Sequence, residues 1–237
     1  PPYVDTVYNK KYYVDFVEKY GFKKSKDLYG QLLKYELDEE NNEKIGDRLE
    51  KIAFKIMKKN NITFRKIDFS KSESEFEILR DIYNSAWGEN WGFNPLSRDE
   101  FMLIAKNLKI VADPTLVIIA FIDDVPVAFI GTVPDTNDII KKNKSKILNT
   151  DYSRIARILK NKNNFFRARL MLFGIKKEYR KIGLDSVLFY LSYKRCYERN
   201  INLLVELSWL LEDNYLILRA GESLGAKKYK TWRIYDF

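Results

Sequence analysis

Between Ala168 and Asn200 an apolar run, Leu170-Met171-Leu172-Phe173, passes through a basic turn and enters a long amphipathic helix. Such a strand, turn and helix in immediate succession require a sheet to bury the strand and a helical layer to cover it, so the segment predicts an α/β architecture. The turn reads Arg180-Lys181-Ile182-Gly183-Leu184-Asp185 and is followed by Ser186. A helix start carries unpaired backbone N–H groups and the positive end of the helix dipole. With Arg and Lys beside it and a glycine that lets the backbone approach a ligand, this turn suits a phosphate. The same residues also read as a surface turn capped by charge.

Composition removes several chemistries. The chain of 237 residues has no histidine and a single cysteine, Cys196. Histidine-based triads, histidine zinc sites, thiol metal clusters and an intrachain disulfide are thereby excluded, and no metal is expected. Acid–base work falls to carboxylates, tyrosines, lysine or water. At 46% hydrophobic content the chain supports a full core. No apolar stretch reaches the ~18 to 20 residues that span a bilayer. Pro1 to Asp5 carries neither a basic nor an apolar leader region, which makes the cytoplasm the expected location.

The net charge of +9 is concentrated. From Asp138 to Arg169 there are ten basic residues, including Lys141, Lys142, Lys144 and Lys146, against the acids Asp138 and Asp151. A solvated helix face is the favoured reading over a nucleic-acid surface.

Periodicity orders the rest. Asp38 to Asn61 reads as a connecting helix, and Ile62 to Ile67 as a strand. Ser72 with Glu75, and Ser97 with Glu100, have capping-box spacing at the heads of two helices. Thr115–Ile122 and Val125–Thr132 are apolar runs joined by Asp123-Asp124, the signature of a hairpin. After the Asp185–Arg199 helix come a strand from Asn202 to Trp209, a helix opened by Asn214 and stopped at Gly225, and a last strand from Lys227 to Tyr235. Glu18-Lys-Tyr-Gly21-Phe-Lys23-Lys24-Ser-Lys26 aligns without a gap on Glu222-Ser-Leu-Gly225-Ala-Lys227-Lys228-Tyr-Lys230. Each copy is a helix stopped by glycine and followed by a basic strand, an internal repeat unless the lysine-rich match is coincidence.

The motif Arg180-x-x-Gly183-x-Asp185, with this order of elements, resembles the GCN5-related N-acetyltransferase (GNAT) superfamily, over roughly Ile62 to Phe237. The runs Glu206 to Asn214 and Tyr229 to Tyr235 are similar to a poorly characterised bacterial branch of it. The resemblance implies a mixed α/β (α+β) sheet with helices on both faces. Residues 62–237 would form the acetyltransferase-like domain, 38–61 a linker, and 1–37 the end of a first such unit in a tandem protein. It implies acetyl-CoA as co-substrate, its acyl arm between two parted strands, Phe166–Ile175 and Asn202–Ser208. Backbone groups of Phe173 and Ile175 would meet the pantetheine, and Asn214 and the amides of Arg180, Lys181, Ile182, Gly183, Leu184, Asp185 and Ser186 the cofactor. A small-molecule amine would approach Trp87, Asn90, Trp91 and Trp209. Glu206, half-buried beside the gap, is the candidate base, with a structural ion pair as the other reading. The superfamily's thiolate-protonating tyrosine would fall at Gly221; Tyr215, Tyr229 and Tyr235 are nearby substitutes, Tyr235 being the one selected. Asp185 stands where the motif has Gly or Ala. The implied activity is N-acetyl transfer, with an aminoacyl-tRNA-dependent transferase and a non-catalytic binding module as alternatives.

Overall fold

The computed structural model describes residues 2–34, 39–137, 140, 156, 165–199 and 203–237. In chain order these form α1 (Tyr12–Lys19), β1 (Lys23–Lys34), α2 (Glu39–Lys59), β2 (Ile62–Lys66), α3 (Ser72–Trp87), α4 (Arg98–Val111), β3 (Val117–Ile122), β4 (Val125–Pro134), β5 (Arg167–Ile175), α5 (Leu184–Arg199), β6 (Leu204–Leu211), α6 (Tyr215–Ser223) and β7 (Lys227–Asp236). Of the ten basic residues between Asp138 and Arg169, the eight from Lys141 to Lys162 lie outside the described residues.

Strand alternation sorts the core into two layers. Val117, Ile119 and Phe129 face α3 and α4, where they meet Phe76, Leu79, Ile82, Phe101 and Met102. Ile118, Ala120 and Ile130 point the other way, toward Leu49 and Ala53 of α2 and Leu184, Val187 and Leu188 of α5. The sheet runs β2-β3-β4-β5-β6-β1-β7, antiparallel except for the parallel neighbours β5 and β6. It is the mixed sheet with helices on both faces expected from the sequence. Among the described residues no helix is long and apolar enough to cross a membrane.

Local signals translate unevenly. Asp123 and Asp124 both take positive φ, 48° and 63°, the turn that a two-residue hairpin needs. Ser97 and Glu100 form both halves of their capping box. The box expected at Ser72 does not form: Lys71 is the N-cap of α3, and Arg65 draws Glu75 away with two bonds of 2.7 Å. A bidentate guanidinium outcompetes a neutral backbone donor for that carboxylate.

The two repeat copies lie side by side. β1 pairs with β7 antiparallel, and Leu28 sits opposite Trp232, its own counterpart in the repeat. The pairs on either side exchange under the same equivalence: Asp27↔Arg233 with Tyr29↔Thr231, and Lys24↔Tyr235 with Gln31↔Lys228. A local two-fold axis therefore passes between Leu28 and Trp232. Gly21 and Gly225, which stop the two helices, both take positive φ, 108° and 88°.

Candidate active site

β5 and β6 are paired only over their first halves, from Arg167↔Leu204 to Leu170↔Leu207. At that point β5 carries an extra residue: Gly131 faces Leu172 while Thr132 faces Leu170, so Met171 bulges. A bulge bends the strand that bears it. Beyond it β5 stays with β4 to Ile175, whereas β6 continues beside β1 to Leu211, and a gap opens between them.

The basic turn lies past the end of β5. Gly183 has φ +88°, and a Cβ there would stand 2.7 Å from Ile56 Cδ1, so a side chain would strain the backbone and force Ile56 of α2 to shift. The sequence explains this glycine by ligand approach; the structure supplies a packing reason. The first bond into α5 is from Val187 N–H to the Gly183 carbonyl, 3.3 Å. The amides of Leu184, Asp185 and Ser186 have no backbone acceptor among the described residues, and the Asp185 side chain makes no hydrogen bond to them. An anion is favoured at such a terminus, although the Asp185 charge in the same turn opposes it.

Arg180 is committed elsewhere. Its guanidinium donates to the Ala86 carbonyl and, at 3.4 Å, to the Ile175 carbonyl, with Glu89 3.6 Å away. It thereby ties the end of α3 to the end of β5. Lys177 pairs with Glu89 at 2.8 Å and holds that carboxyl below its usual range. Lys181 is exposed beside the turn, and Ile182 packs on the core. The Phe173 carbonyl accepts from Trp87 Nε1 at 2.9 Å, so both carbonyls expected to meet a pantetheine arm already have one donor, each keeping a second lone pair. Asn214 caps α6 with its own side chain, accepting from Ile217 N–H at 3.5 Å.

On the α3/α4 face the sheet is hollow. A cavity of about 540 Å³ extends from α4 across the parted strands to β1 and β7. Trp87, Asn90, Trp91 and Trp209 all line it, with Phe76, Leu79, Phe101, Leu172 and Leu211. Tyr83 stacks on Trp87, ring centroids 5.1 Å apart, and burial pushes its phenol up. The ionisable members of the lining that carry charge are Asp5, Lys109 and Arg169.

Glu206 is fully buried, at 0% exposure, where the sequence reading has it half-buried, and it does not line the cavity. Ser208 donates to one oxygen at 2.8 Å; Lys230, at 2.7 Å, and the Tyr229 hydroxyl donate to the other. Burial, then the bond to Glu206, pushes the Tyr229 phenol up. With three donors on it, this carboxylate is the anchor of a buried network rather than a free base. Arg169, unremarked in the sequence, completes the network and closes the cavity's floor: it donates to Ser208 Oγ at 2.9 Å and to the Val4 and Asp5 carbonyls at 3.0 and 2.8 Å, and lies over Trp209. Burial lowers its pKa, with Glu206 and Asp5 opposing. The signal available was its alternation with Ala168 and Leu170 on β5, which places it opposite the core face. Tyr235 is remote, its hydroxyl donating to Glu18 at 3.0 Å on β7 at the sheet's edge. At Gly221 a Cβ would lie 2.0 Å from Gln31 Oε1, so β1 fills the place where a tyrosine is missing.

No protein-family model matches the chain. In solved structures the same architecture recurs in a GCN5-related N-acetyltransferase from Sphaerobacter thermophilus, at 12% identity and TM-score 0.53 over 95% of this chain and 56% of that one. It recurs in a tandem GNAT protein from the clavulanic acid biosynthesis pathway, at 11% identity and TM-score 0.54 over 98% of this chain and 60% of that one. The chain has the GNAT fold. In sequence it is 31% identical over 242 residues to the bacterial ceramide synthase of Caulobacter vibrioides, covering 100% of this chain. It spans 60% of that relative's length. In this chain the aromatic cavity is bordered by β5 through Met171 and Leu172 and by β6 through Trp209 and Leu211.

Proposed function

We propose that the chain is an N-acyltransferase unit whose acceptor is a long-chain amine, with the alkyl chain in the aromatic cavity. The observation that carries this reading is the cavity itself: about 540 Å³, lined chiefly by apolar side chains and continuous with the gap between β5 and β6. Ligand pockets of this size bury most of a small molecule, and an apolar wall stabilises a hydrocarbon by about 0.8 kcal/mol per methylene. The relative's name, a ceramide synthase, supports the same chemistry, since ceramide is an N-acylated long-chain amino alcohol.

The acyl donor we assign is an acyl-CoA, acetyl-CoA being its shortest form, with phosphates toward the free amides of Leu184 to Ser186 and Lys181. The amine nitrogen attacks the thioester carbon, the C–N bond forms and the C–S bond breaks. The amine gives up one proton and the departing thiolate takes one. With Glu206 held by three donors, that exchange passes through water, and the protein's contribution is positioning: Trp87, Trp91 and Trp209 fix the acceptor chain so that its head lies at the gap. Arg169 and the Asp5 carbonyl give the floor its polar end.

A binding series of straight-chain primary amines, followed by tryptophan fluorescence, tests the reading. Affinity is expected to rise about fourfold per added methylene until the cavity is filled. A series that is flat with chain length overturns it.

A further inference from the structure

The apolar wall of the cavity does not end at its mouth. Trp91 and Ile104 line it, yet each is 46% exposed, so the same two side chains face both the interior and the solvent. From Ile104 the apolar surface continues along the outer side of α4 to Leu103, at 64% exposure, and Ile110, at 43%, neither of which lines the cavity. Helical spacing puts Leu103, Lys106 and Ile110 in one row, opposite Phe101 and Leu108, which do line it. The core of this chain accounts for the inner side of α4 and leaves the outer apolar row without a reason. Past the first turn, charge on this face has one sign. The acids of α4 are Asp99 and Glu100, both in that turn, and Glu100 is bound to Ser97. Beyond them α4 carries Lys106 and Lys109 and no acid. Lys106 is exposed and makes no ion pair among the described residues. Lys109 reaches the Phe69 carbonyl at 2.9 Å, and exposed Lys71 stands two residues further along. Asp68, the acid beside them, is turned onto Ser70. Leucine, isoleucine and tryptophan fringed by lysines with extendable stems make a surface suited to the headgroup layer of an anionic bilayer.

We infer that α4, through Leu103, Ile104, Lys106 and Ile110, together with Trp91, seats the mouth of the cavity on an anionic lipid bilayer. For the class of its partner the inference rests on the long-chain amine reading. Each methylene lifted from a bilayer into water lowers the free concentration of such an amine about fourfold, so a mouth that opens into the aqueous phase meets few long chains. A mouth held in the headgroup layer receives the chain directly, and an anionic surface gathers the cationic amine beside it. A protein seated on Leu103 and Ile104 would instead stopper the entrance.

Vesicle flotation tests the inference, with octylamine binding in vesicle-free buffer measured alongside. The protein is expected to float with phosphatidylcholine vesicles holding about 30% phosphatidylglycerol, and to bind about tenfold more weakly to phosphatidylcholine alone or in high salt. Leu103→Asp combined with Ile110→Asp is expected to weaken vesicle binding by about tenfold or more. It leaves octylamine affinity within about twofold, since neither residue lines the cavity. Lys106→Glu, which keeps the apolar row, is expected to weaken binding to the anionic vesicles alone. No flotation, or flotation that a folded variant leaves unchanged, overturns the docking surface whatever the amines do. So does a self-dimer that the double variant abolishes in the absence of lipid binding, which assigns the face to a second copy. A flat amine series, with flotation still lost in the variants, overturns the acceptor reading and leaves the lipid contact standing. Should the double variant fail to fold, Lys106→Glu decides.

Discussion

Gly221 shows how far a single position reflects the rest of the fold. Its missing side chain is required by Gln31, whose Oε1 would meet a Cβ at 2.0 Å and whose Nε2 donates to the Leu218 carbonyl at 3.0 Å. Gln31 is buried, so it has little freedom to withdraw. Gly221→Ala is therefore expected to destabilise the fold by about 1–3 kcal/mol in urea unfolding, the cost of overpacking a closed site. A midpoint equal to that of the unaltered chain would show that Gln31 yields freely. The sequence shows a glycine where the resemblance puts a tyrosine. It does not show why, because the conflicting atom comes from a strand at the opposite end of the chain. Glu206 is the same case: its chemistry looks like that of a base until Ser208, Lys230 and Tyr229 are brought to it by the fold.

Among the elements, legibility follows range. The Asp123-Asp124 hairpin and the Ser97 capping box were readable because each is settled within a few residues. The strand, turn and helix around Gly183 were readable for the same reason. The parting of β5 and β6 was an expectation of the resemblance, and its cause, the bulge at Met171 with β1 drawing β6 away, lies in pairings that periodicity does not encode. β1 and β7 are further joined by Asp27, which Arg233 grips with bonds of 2.8 and 3.0 Å. That hydrogen-bonded guanidinium, more than Lys24, holds the Asp27 carboxyl below its ordinary value of 3.8. A lowered folded-state pKa means that the pair stabilises fully above the unfolded value and loses its contribution as pH falls through the lowered one. Because Arg233 is partly exposed, the effect is about 1 kcal/mol or less. Asp27→Asn is expected to be less stable than the parent from neutral pH down to about pH 4 and equal to it in stronger acid, as read from thermal midpoints across pH. A gap that widens in acid would refute the assignment.

At the scale of the molecule, residues 23–34 are an interior strand of the sheet they precede by a whole helix. Leu32 is paired on both sides, to Glu206 and to Lys227. A proline there breaks one of those ladders and is expected to abolish cooperative folding, since a loss of about 3 kcal/mol or more is a large share of a domain's stability. Phe64→Pro, on the edge strand β2, is expected to be milder by circular dichroism melting. Equal damage from the two would mean that β1 is dispensable to the sheet.

The place of β1 also sets a schedule for biosynthesis. This segment leaves the ribosome before every other described strand, yet its two neighbours, β6 and β7, are the last of those strands to follow. Until then its basic, amphipathic strand has nothing to zip into, and closing the sheet must wait on contacts between segments far apart in sequence. Closure of the sheet is thus expected to be slow, with the lysines at 23, 24 and 26 serving in the interval as a charge guard against premature pairing between nascent chains.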